Sequence, residues 1–112
     1  MENRKGRRYR VLCPISFLGE HTAGEGIMLN LSKQGCSVGT GKNVQERTYL
    51  TLHVSLPGEA LPIKVDVAVV RWTMEPAFGL EFLRMQPEDQ ERLWRFVSTL
   101  ETRPSPLRTC KG

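Results

Sequence analysis

The sequence predicts an all-β domain closed by one C-terminal helix, built as a small antiparallel barrel or sandwich. Three observations predict it. Six short stretches alternate apolar with other residues, turn signals separate them at near-regular spacing, and one late segment repeats its apolar residues at helical spacing. The 112 residues are the size of a single domain, and no internal repeat divides them.

The first strand is read from Val11, Cys13, Ile15 and Phe17 on alternate positions. Pro14 lies inside that run, which predicts an edge strand or one with an irregularity. After a turn at Gly19–Gly24, Ile27, Leu29 and Leu31 alternate with Met28 and Asn30 in a second strand. Ser32–Gly35 reads as a turn, and Cys36 and Val38 begin a third short strand. A glycine-rich loop at Gly39–Asn43 precedes the fourth, carried by Leu50, Leu52 and Val54 and ended by Leu56-Pro57-Gly58-Glu59. Ile63, Val65, Val67 and Val69 form the fifth, whose phase shifts at Val70-Arg71-Trp72 as a bulge or strong twist would shift it. The loop Met74-Glu75-Pro76 leads to a sixth at Phe78–Phe82. Pro87 then opens a helix with Glu88, Asp89 and Glu91 in its first turn, where the helix dipole favours acids. Leu93, Phe96, Val97 and Leu100 give it an apolar stripe for the sheet, and Trp94 lies beside the stripe where it can cover a barrel end. The helix is expected to stop before Pro104, leaving residues 102–112 as a disordered tail.

Composition narrows the class. With 39% hydrophobic and 25% charged residues the chain reads as a soluble globular domain with a modest core. No stretch approaches the ~18 apolar residues of a membrane span, and the polar start MENRKGRRYR is no signal peptide, so a cytoplasmic location is expected. Three cysteines without CxxC spacing argue against a disulfide framework or a zinc site. Cys13 and Cys36 read as buried small hydrophobes and Cys110 as a free thiol in the tail. The net charge of +4 is localised: residues 1–10 hold Arg4, Lys5, Arg7, Arg8 and Arg10 against Glu2, and the remainder is neutral. A flexible basic arm on a neutral body points to a localised anionic partner or to a solubilising tail.

Catalysis finds no support. His21 and His53 are the only histidines, no GxSxG, HExxH or P-loop pattern is present, and the carboxylates Glu81, Glu88, Asp89 and Glu91 are explained as strand-surface and helix-start residues. No catalytic or metal-ligating residue and no cofactor is therefore assigned. Two constellations remain. Arg4-Lys5-Gly6-Arg7-Arg8 precedes the first strand, and arginines four apart on a flexible arm can enclose a compact anionic nucleotide, each with a planar donor fork and a stacking face. Asn30-Leu31-Ser32-Lys33-Gln34-Gly35 joins the second and third strands. If extended, it presents the Asn30 amide and Ser32 hydroxyl on one side, with Gly35 permitting positive φ or a close backbone approach. By itself it is also an ordinary polar turn.

Taken together, Arg4-x-x-x-Arg8 and Asn30-x-Ser32-x-x-Gly35 resemble the paired RxxxR and [D/N]xSxxG signature of PilZ domains. The order and spacing of the two segments, Val70-Arg71-Trp72, Phe78–Phe82 and the closing helix extend the resemblance from residue 4 to about 101. The resemblance implies a six-stranded antiparallel β-barrel over residues 9–101 that binds cyclic di-GMP, a bacterial second messenger, on its outer surface. Arg4 and Arg8 are then expected to contact phosphates and guanine faces, and Asn30, Ser32 and Gly35 one guanine. Lys5, Arg7 and Arg10 are auxiliary charges. The alternative frame with Arg10 as the second arginine places Gly6 at the first position and breaks the motif. The implied protein is no enzyme. It is a receptor whose arm, residues 1–10, changes position on ligand capture and signals to a partner protein. The alternative is an adaptor of the same family with weak or no nucleotide binding. A barrel for single-stranded DNA or RNA is disfavoured, because such surfaces carry aromatic platforms and this body has two tyrosines and no net charge.

Overall fold

The computed structural model describes residues 7–102 and 108–109. Six antiparallel strands run β1 (Tyr9–Leu18), β2 (Ala23–Leu31), β3 (Gly35–Gly39), β4 (Tyr49–Val54), β5 (Ile63–Met74) and β6 (Ala77–Arg84), followed by α1 (Pro87–Thr102). Their spatial order is β2-β3-β6-β5-β4-β1, and β1 pairs back with β2, so the sheet closes into a barrel. The open choice between barrel and sandwich resolves to the barrel, with one helix across it. A two-residue strand, β7 (Arg108–Thr109), lies parallel to β1 beside Val11 and Leu12, where the sequence reading has a disordered tail.

Closure explains how Pro14 is accommodated. β1 is an interior strand rather than an edge, and it carries the irregularity that was the other expectation: its pairing with β2 shifts register between Arg10 and Cys13, and it pairs with β4 from Ile15 onward. Pro14 stands just ahead of the β4 ladder, so its missing N–H costs little, and its carbonyl accepts from Ser55 N at 3.0 Å. The alternation in β1 is as read, with Val11, Cys13, Ile15 and Phe17 all buried. β2 is different. Met28 is buried while Ile27 and Leu29 are exposed at 42% and 36%, the reverse of the expected phase. A register shift between Met28 and Asn30 then returns Leu31 to the interior. The anticipated shift near Trp72 is present as a break between Val70 and Trp72 in the β5–β6 ladder.

The interior is filled from every strand, with Met28, Leu31, Val38, Leu52, Ile63, Val65, Val70 and Leu80 among its fully enclosed side chains. Phe17 and Phe78 meet edge to face, centroids 5.5 Å apart. Leu93, Val97 and Leu100 of α1 join the same cluster. The helix is fastened at its start: Arg92 reaches Glu59 at 2.8 Å, Asp89 at 3.3 Å and the Leu61 carbonyl, and Gln86 donates to Asp66 at 2.9 Å. These contacts hold α1 over β5 and over the loop before it, so that its length reaches the end of the barrel where β2 turns into β3.

Cys36 is fully buried and free, as a small hydrophobe should be, and burial pushes its thiol up to about 12 against a smaller lowering by the Arg8 charge. Cys13 is buried as well but is disulfide-bonded, which corrects its reading as a simple hydrophobe. Cys110 lies outside the described residues. Among the described residues no helix is long and apolar enough to cross a membrane, and no three His, Cys, Asp or Glu side chains group as metal ligands.

Candidate functional site

The two motif segments meet in space. Arg8 directly precedes β1, Asn30 is the penultimate residue of β2, and Arg10 faces Asn30 across the β1–β2 ladder. Arg8 Nη1 donates to Asn30 Oδ1 at 2.8 Å, joining residues 22 apart in sequence. Arg7, Arg8 and Arg10 are all exposed, and the Arg7 guanidinium lies 5.4 Å from the centroid of the Tyr9 ring. Arg4 and Lys5 lie outside the described residues.

Ser32 and Gly35 are placed differently from Asn30. Ser32 is 1% exposed, and its Oγ accepts the backbone N–H groups of Gln34 at 3.2 Å and Gly35 at 3.1 Å. Its backbone N donates to the Gly35 carbonyl at 2.8 Å. This is the local side-chain-to-backbone pattern that favours serine in tight turns. The amide of Asn30 and the hydroxyl of Ser32 therefore serve different partners, and the shared polar face expected of an extended segment does not form.

Gly35 is buried, and its φ is not positive. A Cβ there would run into the Leu80 carbonyl oxygen of β6. The close approach that demands glycine is thus made by the neighbouring strand, which pairs Gly35 with Glu81. The turn is tied further by Phe82 N donating to the Gln34 carbonyl at 2.7 Å. Sequence reasoning passed over Lys33, whose Nζ stands 5.6 Å from the centroid of the Trp94 ring on α1. The signal for it was a lysine inside the motif together with an aromatic residue just off the helix stripe.

Two grooves are formed by the described residues. A groove of about 470 Å³ lies between the β1–β2 turn and the loop before β4, lined by Glu20, His21, Arg47 and Tyr49 among others. A second, of about 360 Å³, lies around Pro14, Gly26, His53 and Pro62. The first is at the opposite end of the barrel from Arg8, on the order of 30 Å along a ten-residue strand. Neither groove includes a residue of the two motifs.

Comparison with known proteins agrees with the architecture. The family model described as PilZ domain matches residues 2–99. No curated protein sequence matches the chain. Among solved structures, the Bacillus subtilis inhibitor of motility (MotI/DgrA) superposes with a TM-score of 0.75 at 20% identity, over 94% of this chain and 55% of that one. The chain thus spans about half the length of that protein. The PilZ domain of CeSA, from a cellulose-synthesizing bacterium, superposes with a TM-score of 0.66 at 16% identity, over 86% of this chain and 99% of that one. At these identities the likeness is one of fold, whereas the family model covers nearly the whole sequence, both motif segments included. The closed barrel, its helix and the matched residues establish that this chain belongs to the PilZ domain family.

Proposed function

We propose that the chain is a cytoplasmic cyclic di-GMP receptor in which Arg4 and Arg8 grip the nucleotide and Asn30 helps to orient it. The observation that carries this reading is the 2.8 Å hydrogen bond from Arg8 to Asn30. It joins one residue from each motif segment, and the planar donor fork of Arg8 stands exposed beside Asn30. Lys5, Arg7 and Arg10 add positive charge around it, which suits a ligand with two phosphodiesters. Ser32 and Gly35 belong to the site by fixing the turn that follows Asn30. The arm changes conformation on ligand capture, and a partner protein reads the change. No catalytic group or cofactor enters this reading. The disulfide at Cys13 belongs to oxidising conditions. In a reducing cytoplasm the same cysteine would stand as a thiol on the inner face of β1.

A second reading is favoured by a separate observation. The outer face across β2, β3, β6 and β5 exposes Ile27, Leu29, Trp72 and Met74, with the Trp72 indole lying against Gly79 and Leu29 beside Gly39. Exposed aromatic and aliphatic side chains over a glycine floor suit an adaptor that works through protein contacts. The superposition on an inhibitor of motility is compatible with such a role.

Isothermal titration of the protein with cyclic di-GMP, with GTP as the control, separates the two. Micromolar or tighter binding of the cyclic dinucleotide and none of GTP is expected, with the stoichiometry from the same curve. A folded protein that takes up neither nucleotide would leave the adaptor reading.

A further inference from the structure

One contact links α1 to the motif turn and is unused by the function above. Lys33 follows Ser32 directly and is half-buried, with its ammonium 5.6 Å from the Trp94 ring centroid. It pairs with no carboxylate among the described residues. Glu91, one turn before Arg95 on the same helix, is committed to Arg95 at 3.4 Å. Trp94 is 42% exposed and stands outside the buried stripe of Leu93, Val97 and Leu100, so core burial does not account for its position.

The backbone beneath Lys33 is fixed. Ser32 Oγ accepts from Gln34 N and Gly35 N, and Phe82 N donates to the Gln34 carbonyl, so the backbone on either side of Lys33 is tied and its side chain is held by no hydrogen bond or ion pair among the described residues. An indole face is a neutral partner for an ammonium ion, while a phosphodiester offers a full negative charge and hydrogen-bond acceptors. A lysine on a four-carbon stem is suited to exchange one for the other.

Building on the receptor reading, we propose that Lys33 is a further ligand-binding cation of the site. It rests on Trp94 when the site is empty and moves to a phosphodiester when a cyclic dinucleotide binds, uncovering the Trp94 ring on the surface of α1. The helix itself stays in place through Leu93, Val97 and Leu100, and what changes is the face it shows: a lysine-covered indole becomes an exposed aromatic anchor of the kind protein partners use.

The proposal makes the two side chains pull in opposite directions. The indole competes with the ligand for Lys33, so removing it should tighten binding, whereas removing the ammonium should weaken it. Titration with cyclic di-GMP should show Lys33→Met weakened about threefold to tenfold and Trp94→Leu tightened about twofold to fivefold. In a Trp72→Phe background, which leaves Trp94 as the one tryptophan, ligand should change the indole emission. Adding Lys33→Met to that background should abolish the change while binding persists at higher concentration. Wild-type affinity in both Lys33→Met and Trp94→Leu, or equal weakening in both, would overturn the proposal and leave the receptor reading standing. Absence of heat with the wild-type protein would overturn both together.

Discussion

The two halves of the motif occupy contrasting environments. Arg7, Arg8 and Arg10 stand exposed on one side, and the hydrogen bond described for Arg8 goes to the half-exposed amide of Asn30. Ser32 and Gly35, on the other side, are buried, and among the described residues their contacts lie within the barrel. The arginines present charge to solvent and contribute little to folding, because exposed polar pairs are worth little in water. The turn contributes shape: it fixes where β2 ends and how closely β3 approaches β6. On the proposed function, one signature would then contain a reader and a scaffold, and stability and affinity measurements should separate them.

The largest effect is expected at Gly35→Ala. The added methyl meets the Leu80 carbonyl, which is backbone in a hydrogen-bonded strand, so the β3–β6 ladder must part to admit it. A loss of about 2–4 kcal/mol in unfolding free energy should follow, read from the denaturant midpoint. A Gly35→Ala protein of wild-type stability that no longer bound the nucleotide would break the comparison and make Gly35 a ligand contact. Ser32→Ala comes next. It strips the acceptor from two backbone N–H groups in a buried turn, and about 1–3 kcal/mol of stability should be lost. At a temperature where both proteins remain folded, its affinity should fall less than that of an arginine variant.

How much of this was legible follows from where the information lies. The six strands and the buried stripe of α1 follow from alternation, turn spacing and helical periodicity, all local signals, whereas the strand order and the closure of the barrel rest on long-range pairings that those signals do not carry. The phase of β2 was misread because its outward side chains, Ile27 and Leu29, are as apolar as the inward Met28, and a register shift before Asn30 hides the return of Leu31 to the core. Periodicity cannot assign faces when both are apolar. Asn30 and Arg8 were legible as polar residues at strand ends, and the hydrogen bond between them was not, because it joins residues 22 apart. Ser32 and Gly35 were singled out, yet their structural contacts were not visible: a serine that holds its own turn and a glycine pressed on a neighbouring strand look, in sequence, like any polar residue and permissive glycine of a turn. The Lys33–Trp94 contact spans 61 residues and depends on the helix's angle across the barrel, which no local pattern encodes.

Arg8→Ala tests the reader. Stability should change by no more than about 0.5 kcal/mol, since the side chain is exposed and its one described partner is neutral. Affinity for cyclic di-GMP should fall at least about tenfold through loss of charge-assisted pairs. Thermal melts without ligand check the first statement and titration checks the second. Wild-type affinity in this variant would mean that the nucleotide binds elsewhere than at Arg8.

Asn30→Ala has the smallest expected effect and is the most instructive, because Asn30 sits on the boundary between reader and scaffold. It lies in β2 like a scaffold residue, but it is half-exposed and its carbonyl oxygen accepts from Arg8. If it acts by holding the guanidinium in position, its loss should cost little stability and lower affinity by about threefold. The loss should also vanish when Arg8 is already alanine, because there is then nothing left to position. A double-mutant cycle reads this directly as a coupling between the two residues. Full coupling makes Asn30 a positioning residue of the arginine arm. Additive losses would show that its amide meets the nucleotide on its own account, and the boundary between reader and scaffold would then fall after residue 30, between Asn30 and Ser32.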